Sequence, residues 1–246
     1  MMLLSGKSAI VYGGGGAIGS AVGSAFAREG ARVFLAGRTS QPLADVATRI
    51  RDAGGAAEVA EVDALSREAV AAHAAAVAGA AGGIDIAFNA VSNDDLQGIP
   101  LTGMAYEDFM RPVTKSVTAH FTIATALAGH MRSRGSGVIL AMAGGREAIP
   151  SLGGSHVAWS ALAGLCRQLA SELGPDGIRV AWILSPGSPD ALGAGDGADP
   201  EADEVTLLGR RPTVDQVANV AAFLASDWAG TMTATEVNIT AGAVID

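Results

Sequence analysis

Gly14, Gly16 and Gly19, in the stretch YGGGGAIGSAVGSAFAREG, follow a short apolar run in G-x-G-x-x-G spacing. Behind them Ile18, Val22 and Phe26 recur at helical intervals. Glycine is required at such places because a backbone without Cβ can turn tightly and approach a pyrophosphate, whose charge then rests on the N-terminus of the following helix. The spacing alone is a weak signal. A strand before it, a helix after it and a second strand at the right distance make it a dinucleotide motif, to which Gly13 also belongs. The second strand, ARVFLAG, runs into Arg38, Thr39 and Ser40, where an acidic residue would grip the ribose of NAD(H). Arg38 instead suits the 2′-phosphate of NADP(H), which an aspartate would repel. Its other reading is an ordinary exposed arginine. Asp63 closes a third run, AAEVAEVDA, and either lies near the adenine or caps the helix that DALSREAV begins.

The elements that must carry these residues alternate. Seven short apolar runs, KSAIVYG, ARVFLAG, AAEVAEVDA, GIDIAFNAVS, GSGVILAMAG, GIRVAWILSPG and ATEVNITAG, are separated by Ala-rich stretches of helical length. Strand then helix, repeated, predicts a Rossmann-type, doubly wound parallel sheet with helices on both faces. At 246 residues, one domain over 1–246 is expected. His73, in the Ala-rich stretch 71–81, reads as a helix-surface residue. The Gly-, Pro- and Asp-rich stretch within 185–208 is either a lid over a ligand, with 190–204 ordering on binding, or an acidic surface loop.

Composition narrows the partners. A net charge of -9 without a Lys/Arg cluster argues against nucleic acid, and the apolar runs are too short for a membrane span. One cysteine, Cys166, and four scattered histidines supply no disulfide and no metal-ligand spacing. The start MMLLSGKSAIVYGGGG lacks the pattern of a signal peptide, which predicts a cytoplasmic protein with a small-molecule substrate.

Over nearly its whole length the chain resembles the short-chain dehydrogenase/reductase (SDR) family. YGGGGAIG stands where that family carries T-G-x-x-x-G-I-G, and FNAVS keeps Asn89 of its N-N-A-G. LCRQLASELGPDGIRV, SPGSPD, GRRPTVDQVANVAAFLASD and EVNITAG are similar to its dimer helix, its P-G loop (Pro186, Gly187), its penultimate helix and its last strand. The resemblance implies a nicotinamide cofactor and a homodimer or homotetramer. The stripe Leu162, Leu165, Cys166, Leu169 and Leu173 faces either a partner helix or the chain's own core.

The same alignment puts Ser155 at the family's catalytic Tyr, Trp159 at its Lys, Met142 or Ala143 at its Ser, and Ser116 at its Asn. No tyrosine other than Tyr12 and Tyr106 exists. In the family's mechanism the Tyr hydroxyl handles the proton at the substrate oxygen and the Lys lowers its pKa, which neither a serine nor a tryptophan can reproduce. Other candidates for that work are His156, which titrates near neutral pH, and Lys115. Asp94 and Asp95 could line the mouth or cap their loop, Arg146 could hold an anion or pair with Glu147, and Tyr106 is a rim residue. Trp159 is expected beside the nicotinamide. Three readings follow. The first is an NADP(H)-dependent reductase of an imine, a polarised C=C bond or a carbonyl without the usual acid. The second is a non-redox enzyme for cyclisation, dehydration or isomerisation, with its cofactor retained or lost. The third is a catalytically silent dinucleotide-binding protein.

Overall fold

Each apolar run forms a strand in the computed structural model, which describes residues 2–191 and 204–245. The strands are β1 (Ser8–Tyr12), β2 (Arg32–Gly37), β3 (Ala56–Glu61), β4 (Ile86–Asn89), β5 (Gly137–Ala143), β6 (Ile178–Leu184) and β7 (Thr235–Asn238). They form one sheet, all parallel, in the order β3-β2-β1-β4-β5-β6-β7. Between them lie α1 (Ala17–Arg28), α2 (Ser40–Asp52), α3 (Arg67–Ala81), α4 (Tyr106–Arg132), α5 (Ser155–Leu173) and α6 (Val214–Ala225). The centre of the expected lid, 192–203, lies outside the described residues.

Central strands are covered on both sides, so they read as unbroken apolar sequence. Every residue of β1 and β4 is buried. Alternate side chains serve opposite faces. Ile10 and Tyr12 join the core under α3, α4 and α5, while Ala9 and Val11 join the core under α1, α2 and α6. The edge strand β3 differs, burying only Ala57 and leaving Glu58 and Glu61 exposed, a charged edge that discourages further strand pairing.

Chain order reverses between β1 and β4, which pair with Tyr12 opposite Asn89. The loops leaving their carboxyl ends therefore diverge and open a crevice, the place where parallel sheets of this kind bind ligands. One expectation needs correction at this level. His73 is half-buried, because its ring faces the sheet and Nδ1 lies 3.3 Å from the Tyr12 hydroxyl. On α5, Leu162, Cys166, Leu169 and Leu173 are buried in the chain's own core with Leu165 packed against it, which is the second of the two readings of this stripe.

Candidate active site

At the head of the crevice, α1 starts at Ala17 with Gly16 as N-cap and no side chain capping it. Its first backbone N–H groups are thus left for another acceptor, and they face a cleft of about 280 Å³ lined by Gly13, Gly15 and Gly16. Two glycines are sterically required. Gly13 has φ +81°, and a Cβ there would lie 2.4 Å from the Ala90 carbonyl oxygen. A Cβ on Gly19 would lie 2.1 Å from the Gly13 carbonyl oxygen, so this residue lets α1 sit directly against the turn. Gly14 is buried against Leu35, and Ile18 packs on the core under α1.

Arg38 and Thr39 line the same cleft at the end of β2, and Asp63 lines it beyond β3. The Asp63 carboxylate accepts the Leu65 N–H at 3.0 Å, while Ser66, not Asp63, caps α3 by accepting from Ala69 N–H. Leu43, Val62, Ala64 and Leu65 supply an apolar wall. From the far side α4 contributes Lys115, which is buried, lines the cleft and is paired with Asp94. The bond from Lys115 holds the Asp94 carboxyl below the usual carboxylate range, helped by the Ser92 hydroxyl and the charge of Arg38. An uncapped helix end, a glycine turn too tight for any Cβ, and two cations fit a dinucleotide. At the end of β6, around the Pro186–Gly187 turn, the Ser185 and Ser188 hydroxyls are buried with no hydrogen-bond partner among the described residues, as expected of groups that meet a ligand.

The loop from β4 to α4 brings a second set together. Ser155, fully buried at the start of α5, donates its hydroxyl to Asp95 Oδ2. Gln97 Nε2 donates to the same oxygen at 2.6 Å and to Ser155 Oγ at 3.4 Å. Asp95 is half-buried and Gln97 exposed, so both can be reached from outside while Ser155 cannot. One turn along α5, the Trp159 indole lies over Gly144, where a Cβ would come within 2.3 Å of the ring. His156 is partly exposed, but its Nδ1 is buried without a partner among the described residues. Ser116 is half-buried on α4, next to Lys115. Arg146 pairs with Glu236 of β7, which also accepts from Trp182 Nε1 at 2.7 Å. Neither tyrosine joins the group: Tyr12 is buried in β1 and Tyr106 is 70% exposed at the start of α4.

Behind the site runs a buried polar string that the sequence reading did not pick out. Asn89 Oδ1 accepts the Val91 N–H at 3.1 Å, which fixes the amide so that Nδ2 faces His120 Nδ1 at 3.5 Å. His120 Nε2 then carries the ring hydrogen and points it at Cys166 Sγ, 3.4 Å away. Burial pushes His120 down to about 4 and Cys166 up to about 12, so both are neutral at physiological pH. The spacing of His120 from Ser116, Ile123 and Leu127 on one face of α4 was the available signal. Because the folded-state pKa lies below the ordinary 6.5, the unfolded chain binds a proton the native chain refuses between pH 6.5 and 4. Urea unfolding is therefore expected to lose roughly 3 kcal/mol as pH falls through that window. A His120→Gln variant is expected to flatten the slope; an unchanged slope would assign it to other groups.

The family model described as enoyl-(acyl carrier protein) reductase matches residues 15–243. The D-threitol dehydrogenase of Mycolicibacterium smegmatis is 30% identical over 98% of this chain and 94% of its own length. The chain belongs to the short-chain dehydrogenase/reductase family. Among solved SDR structures, a short-chain type dehydrogenase/reductase from Mycobacterium ulcerans superposes with a TM-score of 0.91 at 25% identity, covering 98% of this chain and 90% of that one. An NAD+-bound xylitol dehydrogenase superposes with a TM-score of 0.85 at 26% identity, covering 97% and 99%. SDR membership makes the chain one of a family of nicotinamide-dinucleotide oxidoreductases. No helix among the described residues is long and apolar enough to cross a membrane.

Proposed function

We propose that this SDR protein is an NADP(H)-dependent oxidoreductase of a small organic substrate, an imine, a polarised C=C bond or a carbonyl, in which a carboxylate replaces the family's tyrosine. The observation that carries this reading is the cleft where the uncapped start of α1 and Arg38 face one ligand-sized space. In that cleft the α1 N-terminus holds the pyrophosphate, Arg38 and Thr39 hold the 2′-phosphate, and Asp63 and the apolar wall flank the adenosine. Asn89 anchors the floor, and Trp159, Pro186 and Gly187 border the nicotinamide end. The nicotinamide, when bound, supplies or accepts the hydride.

The chain's own residues must then manage the proton. Asp95 holds or releases it at the substrate heteroatom. Ser155 and Gln97 each donate to Asp95 Oδ2 and act as positioning residues, keeping the carboxylate aimed. Phe121 and Val157, exposed on α4 and α5, support assembly into a homodimer or homotetramer. A second reading, a non-redox enzyme for cyclisation, dehydration or isomerisation, draws on Trp159, whose ring fills the space beside Gly144 and brings no titratable group there.

The test is absorbance at 340 nm with NADPH against a panel of imines, enones and ketones, and with NADP+ against tetritols and pentitols, the classes named for the relatives. Consumption or formation of NADPH is expected with one class. Asp95→Asn is expected to lower kcat by about 100-fold or more while KM stays within a few-fold. Wild-type kcat in Asp95→Asn would remove the carboxylate from the reaction, and turnover without any dinucleotide would favour the non-redox reading.

A further inference from the structure

Lys115 is an unusual lysine. Its side chain is 10% exposed, on a helix whose neighbouring buried positions carry Ala119, Ile123 and Leu127. A buried ammonium persists only with a counter-charge. Here that charge is Asp94, from the β4–α4 loop. Asp94 is held in place with some strain, since it has φ +52°, a conformation that non-glycine residues adopt at a cost. The Ser92 hydroxyl stabilises the turn by donating to Asp94 Oδ1 and accepting the Asp94 N–H. Lys115 and Ser92 both line the dinucleotide cleft, together with Arg38, whose charge also reaches Asp94. The Asp94 carboxylate is thus an anion paired with Lys115, within reach of the charge of Arg38, at the wall of a site whose ligand brings anions of its own.

We propose that Lys115 is a phosphate-binding residue of this cleft and that Asp94 competes with the cofactor's phosphate for it. This rests on the dinucleotide reading above and adds to it a ligand from α4 and an internal competitor. Phosphate is the suited chemistry because an ammonium acts as a point charge on any of its oxygens. On binding, the phosphate takes the ammonium and Asp94 swings out to solvent, where its half-exposed side chain already lies. The phosphate is either the 2′-phosphate or one of the pyrophosphate pair.

Calorimetric titration of wild type, Lys115→Met and Asp94→Asn with NADP+, NAD+, 2′,5′-ADP and 5′-ADP tests this. Lys115→Met is expected to weaken NADP+ by about tenfold or more, and Asp94→Asn to tighten it by about three- to tenfold. A Lys115→Met loss confined to NADP+ and 2′,5′-ADP places the 2′-phosphate on the lysine; a loss shared by NAD+ and 5′-ADP places the pyrophosphate there. Asp94 stands on an exposed loop, so Asp94→Asn gives a reading even where Lys115→Met does not fold. Unchanged or weaker NADP+ binding by Asp94→Asn, with wild type binding normally, would overturn the competition while leaving the dinucleotide reading intact. Absence of binding by wild type and Asp94→Asn alike would overturn both. Binding by Asp94→Asn alone would support the competition in its strongest form.

Discussion

Gly19→Ala is expected to abolish measurable dinucleotide binding and to destabilise the fold by roughly 3 kcal/mol. The added methyl would stand 2.1 Å from the Gly13 carbonyl oxygen, which belongs to the backbone and cannot rotate away. Relief requires α1 to back away from the turn, and the turn is itself fixed by the Gly13 N–H bond to the Ala36 carbonyl at 2.8 Å. The N-terminus of α1 then no longer faces the cleft squarely, so the helix charge and its open N–H groups are lost to the pyrophosphate together. Urea unfolding and calorimetry of the same preparation separate the two effects. Gly16→Ala supplies the contrast, since a Cβ there meets only the Gly13 carbonyl oxygen at 3.5 Å and the fold is expected to tolerate it. Unimpaired binding by Gly19→Ala would show that the turn is not the phosphate site.

The second large effect is expected at Arg38. Replacing it with aspartate removes a charge-assisted bond to the 2′-phosphate and sets a carboxylate where the ribose hydroxyls of NADH can be gripped. The two changes add in the ratio of affinities, giving a swing from NADPH toward NADH on the order of 10²–10³. Titration of both nucleotides against the variant measures it. A ratio unmoved by the substitution would mean that Arg38 only decorates the surface and that the 2′-phosphate, if bound, sits elsewhere.

Most of the architecture was legible because burial on both faces leaves parallel strands little freedom of composition. AIVY, VFLA and IAFN state their positions outright, and the exposed edge strand β3 showed as the run AAEVAEVDA between two stretches of helical length. The glycine turn was legible for a similar reason, since steric exclusion at Gly13 and Gly19 admits one residue type. The caps were less so. Asp63 and Ser66 both suit a helix start, and only the backbone decides that α3 begins after Ser66.

Legibility ended where function depends on irregular backbone. Nothing periodic in VSNDDLQG announces that Asp94 reaches Lys115 while Asp95, one residue on, reaches Ser155. The contact between Trp159 and Gly144 joins two elements across 15 residues of chain and exists only once the sheet has formed. The polar string from Asn89 through His120 to Cys166 draws one residue from each of β4, α4 and α5, and no local pattern links them. His73 was hidden among alanines, whose small size lets a helix approach the sheet closely enough for its ring to meet Tyr12.

The most direct test of the central claim is calorimetric titration of the wild-type protein with NADPH and NADH at the same ionic strength. One NADPH bound per chain, at least about tenfold tighter than NADH, is the predicted result. Equal affinity for the two would contradict the assignment of the 2′-phosphate to Arg38, and no binding of either would contradict the dinucleotide cleft itself.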